Sequence, residues 1–149
     1  MNLKSKTKKV RGLALTGGFL RAVQQRPWFS HADALTPAVI QDEKTKRVLT
    51  LCYLNREALD KTLKEGKVYV FRRSKKRLML KGETSGHIQI IKKVELDCEG
   101  KSLLLQVEQR VAACHAGYFS CYFRRVAKRG RLIVSEPQVF NPKTVYRKK

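Results

Sequence analysis

Val48-Leu49-Thr50-Leu51-Cys52-Tyr53-Leu54-Asn55 is a β-rich run that ends on a helix-capping residue. Its first seven positions favour branched, apolar and aromatic side chains, the composition of a strand packed on at least one face. Asn55 offers a side-chain oxygen to the free amides of a helix start, and Glu57, Leu59 and Leu63 continue the helix. Gly66 then supplies the C-terminal stop. Upstream, Val39-Ile40-Gln41-Asp42 reads as a partner strand across a polar turn at 43–46. Downstream, 68–71 is a short β-rich run, 72–77 a dense basic turn, and Gly82-Glu83-Thr84-Ser85-Gly86 a polar loop closed by glycines. Residues 87–96 and 103–107 read as two more strands around a turn at 97–102. Strands with one obvious helix predict an α+β domain: a small mixed or antiparallel sheet with few helices.

The chain has 149 residues and 42% hydrophobic content, enough for one domain with a real core. No apolar run approaches the ~20 residues that cross a bilayer. The apolar stretch at 13–20 is short and glycine-broken, so it does not read as a secretory signal. The four cysteines are therefore expected as reduced thiols of a cytoplasmic protein. The formal charge of +21 is concentrated on the flanks. Seven Lys or Arg and no acid precede Asp33, 17 basic and 11 acidic residues occupy 33–123, and nine basic residues face only Glu136 from Arg124 onward. This divides the chain into a basic N-terminal extension at 1–31, a domain at 32–127 and a basic C-terminal tail at 128–149. Such tails favour solubility or non-specific polyanion contact. An acid-free basic N-terminus is also compatible with an organelle-targeting segment, although it holds few hydroxyl residues.

Three cysteines draw attention because of their company. Cys114-His115-Ala116-Gly117-Tyr118-Phe119-Ser120-Cys121 encloses a histidine, and Cys98 lies between Asp97 and Glu99. Soft thiolates select zinc, and three protein ligands leave a fourth position open for water, as in catalytic sites. The spacing differs from the Cys-x-x-Cys pair of a zinc finger, and buried free cysteine is the bland alternative. That bland reading is preferred for Cys52, which lies on an apolar strand outside these motifs.

Taken in order, several unlinked segments resemble the phosphoribosyl-AMP cyclohydrolase family in its monofunctional form. They are Pro37-Ala38-Val39-Ile40-Gln41-Asp42, Tyr53-Leu54-Asn55-Arg56-Glu57-Ala58-Leu59 and Lys81-Gly82-Glu83-Thr84-Ser85-Gly86-His87-Ile88-Gln89. Asp97-Cys98-Glu99, Ala113-Cys114-His115-Ala116-Gly117 and Ser120-Cys121-Tyr122-Phe123 complete the set. The resemblance implies a hydrolase of histidine biosynthesis that opens the adenine ring of phosphoribosyl-AMP at N1–C6, the third step of that pathway. It implies an intertwined homodimer with one zinc per subunit, in which Cys98 of one chain joins Cys114 and Cys121 of the other. It also implies a magnesium held by an Asp-Cys-Asp-x-Asp segment. That segment here reads Asp97-Cys98-Glu99-Gly100-Lys101, so a cation replaces its last carboxylate. Lys101 therefore either stands in for part of the magnesium charge or abolishes the site, and weakened magnesium dependence is expected. Other departures are Arg72-Arg73-Ser74-Lys75 for a Ser-Arg-Ser-Arg stretch, Met79 for a frequent tryptophan and Ala116 for a threonine.

The chemistry accounts for these residue types. A ribose on adenine N1 makes C6 electrophilic, and zinc lowers the pKa of water towards about 7. Thiolates donate strongly, so the water profits from a nearby base. His115, next to a ligand, is either that base or a residue orienting the site. Two substrate phosphates call for anion contacts, for which Arg73, Lys75 and the 82–86 loop, with Glu83, Thr84 and Ser85, are candidates. Glu83 has the alternative of pairing with Lys81, and His87 of being structural. Asp97 and Glu99 offer oxygens to a hard cation.

Two rival functions compete with this reading. A nucleobase deaminase needs His-x-Glu and Pro-Cys-x-x-Cys, and neither occurs. A degenerate zinc-binding homologue without the activity, using its basic tails on nucleic acid, is the alternative; its binding would collapse with salt.

Overall fold

The computed structural model describes residues 34–147. The N-terminal extension at 1–31, and any targeting role for it, lies outside the described residues. Strands β1 (Thr36–Asp42) and β2 (Val48–Leu54) form an antiparallel pair across the expected turn. Asp42 fastens that turn by accepting the amide and hydroxyl of Thr45 at 2.8 and 2.7 Å. Helix α1 (Arg56–Glu65) follows at once. Asn55 accepts the Ala58 amide at 2.9 Å, and Gly66 closes the helix at φ 68°, where a side chain would be strained.

Strands β3 (Tyr69–Arg72) and β4 (Arg77–Leu80) form a hairpin. Strands β5 (Gln89–Leu96) and β6 (Leu103–Gln109) return to the main sheet. Its order is β2-β1-β6-β5, with β1 and β6 parallel and the flanking pairs antiparallel. The fold is thus a small α+β domain on a mixed sheet, as the strand pattern predicted.

Alternation places the core. Along β1 every second residue is buried, and Ala38 and Ile40 align with Leu103 and Leu105 of β6. Those side chains join Leu49, Leu54, Leu59 and Val107, all nearly or wholly excluded from water. Each fully buried aliphatic side chain of this size contributes about 1.5–3 kcal/mol. Thr62 ties α1 to β3, its hydroxyl accepting the Tyr69 amide at 2.9 Å. The Val68 amide reaches the Gln89 carbonyl at 3.1 Å, which hangs the hairpin on the β5 edge.

The elements depart from the sequence expectation at three places. The basic turn is shorter than 72–77: a single 3-10 turn, Arg73–Lys75, suffices, and Arg77 already begins β4. Strand β5 starts at Gln89 because the two preceding amides are used by the glycine loop, His87 N–H on Ser85 Oγ and Ile88 N–H on the Gly86 carbonyl. Beyond Phe123 the chain forms a small hairpin of β7 (Arg124–Val126) and β8 (Leu132–Val134) and a one-turn helix α2 (Pro142–Val145). Among the described residues no helix is long and apolar enough to cross a membrane.

Candidate active site

A cavity of about 920 Å³ opens between the β3–β4 hairpin, the 82–86 loop and the segment around Cys114. Its walls include Arg73, Glu83, Thr84, Ser85, His87 and His115. Five of the six catalytic and substrate-binding candidates are therefore gathered in one concavity. Lys75 is the exception; it is exposed on the 3-10 turn and does not line the cavity.

The glycine loop owes its shape to two backbone contacts. The Glu83 amide meets the Leu80 carbonyl at 3.0 Å, and the Gly86 amide meets the Gly82 carbonyl at 2.8 Å. Gly82 has φ 88°, and a Cβ there would come within 2.5 Å of the His87 carbonyl oxygen, so no other residue fits. Glu83 pairs with Arg77 at 2.7 Å; its expected alternative partner, Lys81, instead donates to the Ala113 carbonyl at 3.2 Å. The Arg73 guanidinium lies 4.0 Å from the centroid of the Tyr53 ring. That stacking holds a delocalised cation at the cavity wall.

The Cys114 segment is anchored on strand β2. The Cys121 amide reaches the Leu49 carbonyl at 2.7 Å, and the Ser120 hydroxyl reaches the Val48 carbonyl at 2.7 Å. Within the loop, the Ala113 amide bonds to Phe119 and the Cys114 amide to Tyr118, which folds Cys114 and Cys121 toward each other. Cys114 is buried and Cys121 half-buried at the cavity, and the two are close enough for Cys114 to act on the ionisation of Cys121. Burial pushes the Cys121 thiol up, and the neighbouring Cys114 adds to the rise, while a hydrogen bond with Thr50 and the charge of Lys81 oppose it. Cys52 keeps its reading as a free core cysteine and adds a position at the cavity. It packs against the core and also lines the cavity, near Cys121 and Lys81, with its thiol likewise pushed up by burial.

Cys98 stands elsewhere, exposed on the β5–β6 turn. Asp97 organises that turn by accepting the amides of Lys101 and Ser102 at 2.6 and 3.0 Å. These backbone bonds, that of Ser102 foremost, hold its carboxyl below the usual range. Lys101 reaches Glu99 at 2.9 Å. Among the described residues no three His, Cys, Asp or Glu side chains of one chain are grouped to hold a metal ion. Cys114 and Cys121 supply two neighbouring soft donors, which suit zinc by donor type, and no third such donor is grouped with them among the described residues.

Sequence reasoning missed Tyr53, Lys81 and Tyr146 as cavity residues. The first two lie inside the quoted segments, so their position was a usable signal. Tyr146 follows a stretch, 132–145, with no clear periodicity and carried none.

Comparison with known proteins identifies the family. Residues 50–123 match the family model described as phosphoribosyl-AMP cyclohydrolase. A phosphoribosyl-AMP cyclohydrolase of Desulforapulum autotrophicum is 48% identical over 120 residues, covering 80% of this chain and 96% of the relative. One from Nitratidesulfovibrio vulgaris is 48% identical over 122 residues, covering 81% and 96%. Another, from Chlorobium chlorochromatii, is 43% identical over 118 residues, covering 79% and 86%. With identities of 43–48% over about four-fifths of its length, the chain belongs to the phosphoribosyl-AMP cyclohydrolase family.

Proposed function

We propose that this protein opens the adenine ring of phosphoribosyl-AMP by hydrolysis at N1–C6, in histidine biosynthesis, at the cavity beside Cys121. The observation that carries the reading is the convergence of Cys121, His115 and the glycine loop on one concavity, with Cys114 buried beside it. In the reaction a water oxygen bonds to C6 and the N1–C6 bond breaks. C6 keeps its exocyclic nitrogen and becomes a carboxamide, while a proton from the water ends on N1.

His115 lines the cavity one residue from Cys114. Its imidazole takes the proton from the water and returns it to the departing N1, a transfer worth about 10²–10⁴-fold. The loop hydroxyls of Thr84 and Ser85 and the fixed cation of Arg73 bind the phosphates, since backbone and guanidinium donors together suit an anion. Glu83, held by Arg77, orients a ribose or ring donor. Cys114 and Cys121 hold zinc, with Cys98 of a second chain as the third ligand, which accounts for the exposed position of Cys98 away from the pair. Bound there, zinc supplies Lewis acidity and makes water nucleophilic near neutral pH. Lys101 already neutralises Glu99, and the second, hard-cation site at Asp97 and Glu99 is weakened accordingly.

The test is turnover of phosphoribosyl-AMP by the purified protein, followed as ring opening, with mixing of inactive Cys98→Ser and Cys121→Ser chains. Mixed dimers regain activity if ligands are shared across the interface. No turnover by the unaltered protein would overturn the reading.

A further inference from the structure

The stretch after strand β8 is built into the cavity. Its start is fixed by Glu136, which pairs with Arg47 at 2.5 Å, and by the Ser135 amide on the Phe123 carbonyl at 2.8 Å. It then runs against the Cys114–Cys121 loop. The Gln138 side chain donates to the Ala116 carbonyl at 2.8 Å, and the amides of Val139 and Phe140 meet the Gly117 carbonyl at 2.7 and 3.3 Å. The approach is so close that a Cβ on Gly117 would lie 2.3 Å from the Phe140 carbonyl oxygen. Phe140 packs edge-on to His87, centroids 4.7 Å apart, and touches the Tyr146 ring at 6.4 Å. Helix α2, capped by Asn141 and started by Pro142, turns the chain so that Tyr146 lines the cavity. Tyr146 lies beyond the residues 50–123 that the family model matches.

A phenol ring at a cavity mouth, backed by a second aromatic, offers an apolar face without an opposing charge. On the wall that Tyr53 and Arg73 form, the aromatic face is already covered by the guanidinium. Phe71 and His87 also line the cavity, and Tyr146, exposed, offers a further π-face to a planar base. Resting on the reading above, we propose that Tyr146 is a substrate-binding residue whose ring stacks on the purine of the nucleotide. The Gln138–Phe140 segment, clamped to Gly117, sets where that ring stands.

Stacking needs the ring and not the hydroxyl. Tyr146→Ala is expected to raise KM for phosphoribosyl-AMP about ten-fold, within the range of a truncated base–aromatic contact, with kcat within about two-fold and the melting temperature unchanged. Tyr146→Phe is expected to restore KM. An unchanged KM in Tyr146→Ala, or a failure of Tyr146→Phe to rescue it, overturns the inference while the cyclohydrolase reading stands. If the unaltered protein shows no turnover, that reading falls, and calorimetric binding of AMP decides this one. AMP binding weakened by Tyr146→Ala and restored by Tyr146→Phe supports it; absent or unaltered AMP binding overturns it.

Discussion

The mixed sheet and the cavity wall are held together by opposite means. In the sheet, Ala38, Ile40, Leu105 and Val107 are wholly excluded from water, and alternation alone fixes which side of each strand faces inward. Around the cavity the positions depend on single backbone contacts: Cys121 on Leu49, Gly86 on Gly82, Val139 on Gly117. Any apolar side chain of similar volume serves the sheet. At the cavity a particular atom is needed, whether a sulfur, a guanidinium or the absence of a Cβ. The sheet therefore carries stability and the loops carry chemistry, and substitutions in the two regions separate those quantities.

The largest effect is expected at the thiols. Cys114→Ser or Cys121→Ser lowers turnover by about a thousand-fold or more, since several kcal/mol of transition-state stabilisation is removed. In metal-stripped protein the same change leaves the melting temperature nearly unaltered. Equal melting losses in stripped and unstripped forms would show a packing role instead. Leu105→Ala inverts the pattern. It costs about 2–5 kcal/mol in a denaturant melt, while kcat per folded molecule is kept. A change in kcat larger than in stability would break the division between sheet and cavity.

Gly117→Ala tests the seam between them. Its φ of 93° and the contact with the Phe140 carbonyl make the change cost about 1–3 kcal/mol. The displaced loop also lowers kcat, because small misplacements near reacting groups are expensive. Wild-type kcat in this variant would mean that the C-terminal stretch does not position the loop. Lys101→Asp is expected to be the mildest. The unaltered protein needs little added magnesium, and the substitution introduces a stimulation of a few-fold. An absolute millimolar requirement in the unaltered protein, left as it was by Lys101→Asp, would contradict the weakened cation site.

The same contrast explains what the sequence made legible. Strands β1 and β6 follow from period-2 alternation, β2 and β5 from β-rich composition between turns, and helix α1 from Asn55 and Gly66, because those signals are local. Strand β4 escaped because Arg77-Leu78-Met79-Leu80 is four residues long and follows a run of cations, so only pairing with β3 identifies it. The cavity residues Arg73, Glu83, Thr84, Ser85 and His115 were legible through motif order rather than through any periodicity. The proximity of Cys52 to Cys121 was hidden, since it arises from docking of the 113–121 loop on β2 across some seventy positions of chain. Tyr146 was equally hidden, because Gly117 and Phe140 meet only in three dimensions.

Zinc titration of the metal-stripped protein, with phosphoribosyl-AMP ring opening read at each addition, tests the central claim most directly. Activity is expected to be absent at the start, to rise in proportion to bound zinc and to level off at one ion per chain, with Cys121→Ser staying silent throughout. Full turnover by the stripped protein, or zinc binding that leaves the rate unchanged, would contradict the account.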